Sequence, residues 1–186
     1  VLTSVQTATE LRIPTENWIF PQAGADAHDT YAIANRAELH RSPAIRIAGT
    51  RALELAGAAG IGEIDYVDLY SCFPSAVQVA AAELGLPIDD PDRPLTVTGG
   101  LTFAGGPWNN YVMHSIATLA ELLVAHPGRR GLISANGGYL TKHSFGVYGT
   151  EPPSHEFRWQ DVQSEVDAEP TRQLQVDFTG TGTVES

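Results

Sequence analysis

Three short stretches of this chain gather the side chains that do chemistry. The first is Tyr70-Ser71-Cys72-Phe73-Pro74, a phenol, a hydroxyl and a thiol in succession. A phenol can give or take a proton, and a thiolate is a nucleophile. On its local sequence Cys72 also reads as a small buried hydrophobe, since free cysteine is among the most buried residue types. The second stretch runs from Thr98 to Pro107 and holds Gly99, Gly100, Gly105 and Gly106. Glycine permits close backbone approach by a ligand or an unusual φ, and it serves equally well in a tight connection. It leads into Asn109 and Asn110, either of which is expected to cap a helix whose first N–H groups suit an anion or an oxyanion. The third is Ala135-Asn136-Gly137-Gly138, followed closely by Lys142 and His143. Asn-Gly is a hairpin signal in its own right, because both residues tolerate positive φ. His114 lies on the flank of a helical apolar stripe, where a lone histidine more often has a structural role. No set of histidines, cysteines and carboxylates has metal-ligand spacing.

Each of these stretches follows a predicted strand. Val1 to Thr3 reads as a strand remnant, and Val5 to Leu11 as a helix stopped before Pro14. Asn17 to Phe20 alternates like a strand ending at Pro21, and residues 22–40 read as loop with a short helix. Ser42-Pro43 opens a helix, since serine caps and proline suits the first helical position. Its stripe is Ile45, Ala48, Ala52 and Leu55. Ile64 to Tyr70 reads as a strand, and Pro74 begins a helix that stops at Gly85. Leu95 to Val97 reads as a short strand before the glycine loop. The longest helix should run from about Asn110 to Ala125, with Val112, Ile116, Leu119 and Leu123 as its stripe. Two strands, 131–135 and 141–148, close the pattern as a hairpin. Such alternation predicts an α/β fold with a five-stranded mixed sheet and helices on both faces. Residues 1–150 form this domain. Residues 151–186 read as a linker and the truncated start of a further β module.

Composition narrows the partners. The 186 residues carry a formal net charge of -11, which disfavours nucleic acid and gives no long-range steering to anionic ligands. One cysteine precludes an intramolecular disulfide, so a reducing, cytoplasmic setting is expected. No apolar run is long enough to span a bilayer. A chain that starts at a strand remnant without methionine reads as part of a longer protein.

At the three stretches the sequence resembles the C-terminal half of the thiolase superfamily, above all the sterol-carrier-protein-type thiolases and the actinobacterial thiolase-like acetyl-CoA acetyltransferases. Tyr70-Ser71-Cys72-Phe73 occupies the place of that family's Asn-Glu-Ala-Phe or His-Asp-Cys-Phe loop. Gly105-Gly106-Pro107 occupies the Gly-His-Pro place, and Ala135-Asn136-Gly137 the Cys-x-Gly place. The resemblance implies an acyltransferase-type protein of lipid metabolism that binds an acyl-CoA thioester. No cofactor is implied beyond the coenzyme A thioester as substrate. Tyr70, Asn109 and His114 become the candidate catalytic residues, and Cys72, Gly105, Gly106, Asn110, Asn136 and Gly137 the candidate substrate-binding ones. Gly106 and Ala135 stand where the family has its histidine and its acid/base cysteine, so the chain by itself is expected to be inactive. The alternatives are a non-catalytic acyl-CoA or lipid-binding or assembly module, and a thiolase-like retro-aldolase using Tyr70. The expected partner is the missing N-terminal half or a second copy of the chain. The resemblance further implies that residues 151–186 begin an OB-like domain.

Overall fold

The computed structural model describes residues 1–184. Its centre is a five-stranded sheet in the order β2-β3-β4-β1-β5. The strands are β1 (Phe20–His28), β2 (Tyr66–Asp68), β3 (Arg130–Gly137), β4 (Lys142–Gly149) and β5 (Arg158–Asp161). β2 runs parallel to β3, β4 is antiparallel to both β3 and β1, and β5 is parallel to β1. The strands β1, β2 and β3 therefore share a direction, and their C-terminal ends lie along one edge. The expected α/β class, mixed five-stranded sheet and flanking helices are all present.

Two helices cover one face. In α2 (Pro43–Leu55) the Ser42 hydroxyl accepts the Ile45 N–H at 3.1 Å, the cap expected of Ser-Pro. α3 (Pro74–Leu84) also starts on proline, and Gly85 ends it in the left-handed conformation. Together they bury Ala25, Leu69, Leu132, Phe145 and Val147 of the sheet beneath Ile45, Ala48, Ala52 and Leu84. The long helix α5 (Tyr111–Ala125) lies on the other face, where Leu119 and Leu123 pack on Ile133. Burying each leucine stabilises the fold by about 2 kcal/mol. Gly131 makes that approach possible, because a Cβ there would sit 2.4 Å from Leu119 Cδ1.

Several expectations are corrected. Residues 22–28 are not loop or helix but the main length of β1, flanked by strands on both sides. Their small side chains (Ala23, Gly24, Ala25, Ala27) carry little strand propensity, so tertiary pairing decides their conformation. Pro21 lies inside the strand at a register shift, where its missing N–H is tolerated. The N-terminal residues 1–3 are irregular. Residues 95–97 form no strand; a side-chain carboxylate, described below, takes the N–H groups of Val97 and Thr98 in place of a ladder. The hairpin turn lies later than expected. Asn136 and Gly137 still pair with His143 and Lys142, and the positive φ values fall at Gly138 and Leu140.

Residues past 150 also contribute to this sheet and core. β5 extends the same sheet, and Val162 and Val166 are buried in the main core. The two valines of this segment pack beside α2 and β1. Beyond it, the Arg172 N–H donates to Asn35 O at 2.8 Å. Leu174, Val176 and Phe178 are exposed.

Candidate functional site

The site is organised by one buried carboxylate, Asp68, at the end of β2. Its Oδ2 accepts the N–H groups of Val97 (3.0 Å) and Thr98 (3.1 Å) and the Thr98 hydroxyl (2.9 Å). Its Oδ1 accepts Tyr111 Oη–H (3.1 Å) and the Ser115 hydroxyl (2.8 Å), both from α5. A single residue thus ties β2 to the start of the glycine-rich loop and to the long helix. The main signal for it in the sequence is a charged residue set between Val67 and Leu69. Burial is the chief reason the Tyr111 phenol sits above its ordinary pKa, and the neighbouring Asp68 charge acts in the same direction.

The three stretches read from the sequence converge. The Tyr70 N–H donates to Ser134 Oγ on β3 at 2.9 Å. Ser71 Oγ accepts the Leu101 N–H at 3.0 Å, joining the first stretch to the glycine-rich one. Gly100 is held at φ +81, and a Cβ there would lie 2.7 Å from Ser71 Oγ, so the close approach requires glycine. Asn136 Nδ2 donates to Cys72 Sγ at 3.1 Å, joining the first stretch to the third. The Tyr70 ring meets Tyr111 edge-on at 5.2 Å. Burial, and then the neighbouring Cys72, raise the Tyr70 pKa above its ordinary value, so this phenol stays protonated at neutral pH.

The remaining candidates sit differently. Gly105 and Gly106 are exposed, and the nearest atom to a Cβ at 106 is Leu101 Cδ2 at 3.7 Å. A side chain at position 106 therefore has room, and its absence is not forced by packing. Asn110 does not cap α5 with its side chain; the chain enters the helix through a 3-10 turn, Trp108–Asn110. Asn109 and Asn110 are exposed. His114 is exposed on α5 and has no hydrogen-bond partner among the described residues. Asn109, Asn110 and His114 are thus not drawn into the contacts that join Tyr70, Ser71, Cys72 and Asn136. Gly137 ends β3 beside Lys142.

A cavity of about 660 Å³ opens beside Asn136, and no residue of the glycine-rich loop lines it. It is lined by Asp26, His28 and Tyr31 near the end of β1, by Asn136, and by Lys142 and His143 at the start of β4. Two buried polar atoms here lack partners, Asn136 Oδ1 and His143 Nε2. Only half of this neighbourhood is legible in the sequence: Lys142 and His143 stand beside the predicted turn, while Asp26, His28 and Tyr31 fall in a segment that reads as loop with a short helix. No group of three or more potential metal ligands occurs among the described residues. No helix among them is long and apolar enough to cross a membrane.

Among solved structures the chain is similar to a monomeric SCP2-thiolase like protein type 1 from Mycobacterium smegmatis. The two share 39% sequence identity at a TM-score of 0.80, over 91% of this chain and 37% of that one. The chain thus spans a little over one third of the length of that relative. The fold is SCP2-thiolase-like. No family model matches the chain, and no curated protein does.

Proposed function

We propose that this chain is the C-terminal portion of a thiolase-like acyltransferase-family protein, and that its three converging loops form one wall of an acyl-CoA thioester site. The observation that carries the reading is the direct linkage of the loops: Tyr70 to Ser134, Ser71 to Leu101, and Cys72 to Asn136. Likeness to an SCP2-thiolase like protein supports the assignment of these loops to a thioester site. Tyr70 is the protonated donor toward a thioester oxygen, and Asn136 and Cys72 form the floor.

A wall needs an opposite wall. Phe103, Trp108 and Met113 are exposed along the glycine-rich loop and the start of α5. Apolar side chains clustered around a loop of this kind mark a covered surface. We assign the cover to the N-terminal half of the same protein fold.

The chain alone is proposed to bind acyl-CoA without transferring its acyl group, since Gly106 and Ala135 supply neither an imidazole nor a thiol. Titration with acetyl-CoA, followed by amide NMR, tests this. Shifts should concentrate at residues 70–72, 100–106 and 135–137. Saturating ligand that leaves all three stretches unmoved sinks the reading.

A further inference from the structure

The strongest unassigned arrangement lies just behind Asn136. His143 is 4% exposed and sits in the middle of the sheet, opposite Asn136 on β3 and Ala27 on β1. Its Nε2 faces Asp29 Oδ2 at 3.6 Å, too long for a hydrogen bond but within ion-pair reach. Its Nδ1 has no partner among the described residues, and the ring lines the cavity that Asn136 shares. Asp29 is itself held firmly. Its Oδ2 accepts the Ser42 hydroxyl at 2.5 Å, and its Oδ1 accepts the Ala44 N–H at 3.0 Å, both at the capped start of α2.

A fixed carboxylate behind one ring nitrogen, with the other nitrogen turned to a cavity, is the geometry that makes imidazole an acid–base group. We propose that His143 is the proton-transfer residue of this site, with Asp29 as its positioning residue, supplying from β4 an imidazole that Gly106 does not. The inference rests on the thioester-site reading above. In the step proposed, the C–H bond α to the thioester carbonyl breaks, its electron pair stays on the substrate as an enolate, and the proton passes to His143 Nδ1. Asp29 stabilises the imidazolium that results, and the proton returns by the reverse step.

The surrounding charges are consistent with one dominant partner. Burial alone would raise the Asp29 pKa, but His143, the Ser42 hydroxyl and the Ala44 N–H together hold it below its ordinary value. Arg36 is close enough to Asp29 to feel its charge, and it donates to Thr30 O, Tyr139 O and the Thr141 hydroxyl. Around the cavity, β1 contributes Asp26 and His28, β5 contributes Asp161, and Lys142 adjoins His143 on β4. Asp26 is occupied by the Trp159 indole N–H. Glu83 of α3 is occupied by Arg41 and the Ser42 N–H.

Two measurements decide the matter. The first needs no ligand: the His143 ring signal, identified by its loss in His143→Gln, is titrated by NMR in the unmodified chain and in Asp29→Asn. The expected result is a titration about one pH unit lower in Asp29→Asn, a tenfold loss of proton affinity. Identical titrations overturn the pairing. If Asp29→Asn does not fold, Ser42→Ala removes a competing donor from the carboxylate and should raise the His143 titration; an unchanged titration again overturns it. The second follows deuterium from D2O into the acyl group of acetyl-CoA. Exchange should fall at least about tenfold in His143→Gln, within the usual contribution of a general base. A chain that binds acetyl-CoA without His143-dependent exchange overturns the proposal and leaves the binding reading intact. A chain that shows the NMR coupling but binds no acetyl-CoA sinks the binding reading and, with it, this use of the pair.

Discussion

Asp68→Ala is the substitution that probes the organisation of the site most directly. Asp68 is 1% exposed and accepts five hydrogen bonds. Removing the carboxylate does not strand every donor equally. Tyr111 Oη keeps Thr98 Oγ1 at 2.7 Å, and Thr98 can turn its hydroxyl to the phenol. The Ser115 hydroxyl is fully buried and loses its acceptor. The N–H groups of Val97 and Thr98 lose theirs at partly buried positions, where water can reach them after a small shift. At about 2 kcal/mol for the serine and about 1 kcal/mol for each amide, the cost is about 4 kcal/mol. Relief of the desolvated charge offsets part of this, so about 2 kcal/mol is the floor. For a chain of this size the melting temperature should fall by about 5–15 °C. Urea unfolding at pH 7 gives the free energy, and amide exchange at Val97 and Thr98 locates the damage. A loss below about 1 kcal/mol, or exchange that accelerates elsewhere but not at these two amides, refutes the claim that Asp68 holds the glycine-rich loop.

Other outcomes follow from the same contacts. Gly131→Ala should cost about 1–3 kcal/mol in chemical denaturation, because the new methyl meets Leu119 Cδ1 at 2.4 Å. Ser42→Ala should cost about 2–3 kcal/mol by the same assay, combining a lost helix cap with a lost donor to the buried Asp29 carboxylate. Asp29 has a folded pKa below its reference value of 3.8. A depressed pKa contributes stability above the unfolded value and loses it as pH falls through the folded one. The stability gap between the unmodified chain and Asp29→Asn should therefore be full at pH 6 and shrink below about pH 4; a gap that widens on acidification contradicts it. Cys72→Ala should cost about 1 kcal/mol and leave the fold intact, as judged by circular dichroism.

The helices were legible because their signals are local. Ser42-Pro43, Pro74 with Gly85, and the stripe from Val112 to Leu123 each state a boundary or a face within a few residues. β1 was not legible for the opposite reason. Residues 22–28 have small or polar side chains, and only pairing with β4 and β5 and cover from α2 make them a strand. β5 was hidden by its surroundings: its exposed Trp159 and Phe157 suggest a separate β module, while the two valines that anchor it follow the strand rather than lie in it.

The candidate site divides along the same line. Its loops could be singled out by residue types together with the family resemblance: Tyr-Ser-Cys, a run of glycines and Asn-Gly-Gly each admit a structural reading by themselves. Their joints could not, because Cys72 and Asn136 are 64 positions apart, as are Tyr70 and Ser134. Asp68 shows why a strand with a charge in its apolar run merits a search for distant donors: a buried carboxylate persists only where enough of them converge. Here they come from the glycine-rich loop and α5. Asp29 does the same at the start of α2, and its remaining neighbour is a histidine at the cavity. The two carboxylates thus stand at the C-terminal ends of two strands that run the same way, β2 and β1, with different tasks. Asp68 spends its lone pairs on backbone, hydroxyl and phenol groups and sets the shape of the loops. Asp29 faces an ionisable ring, so the same kind of burial that rigidifies one end of the site lets the other hold a proton.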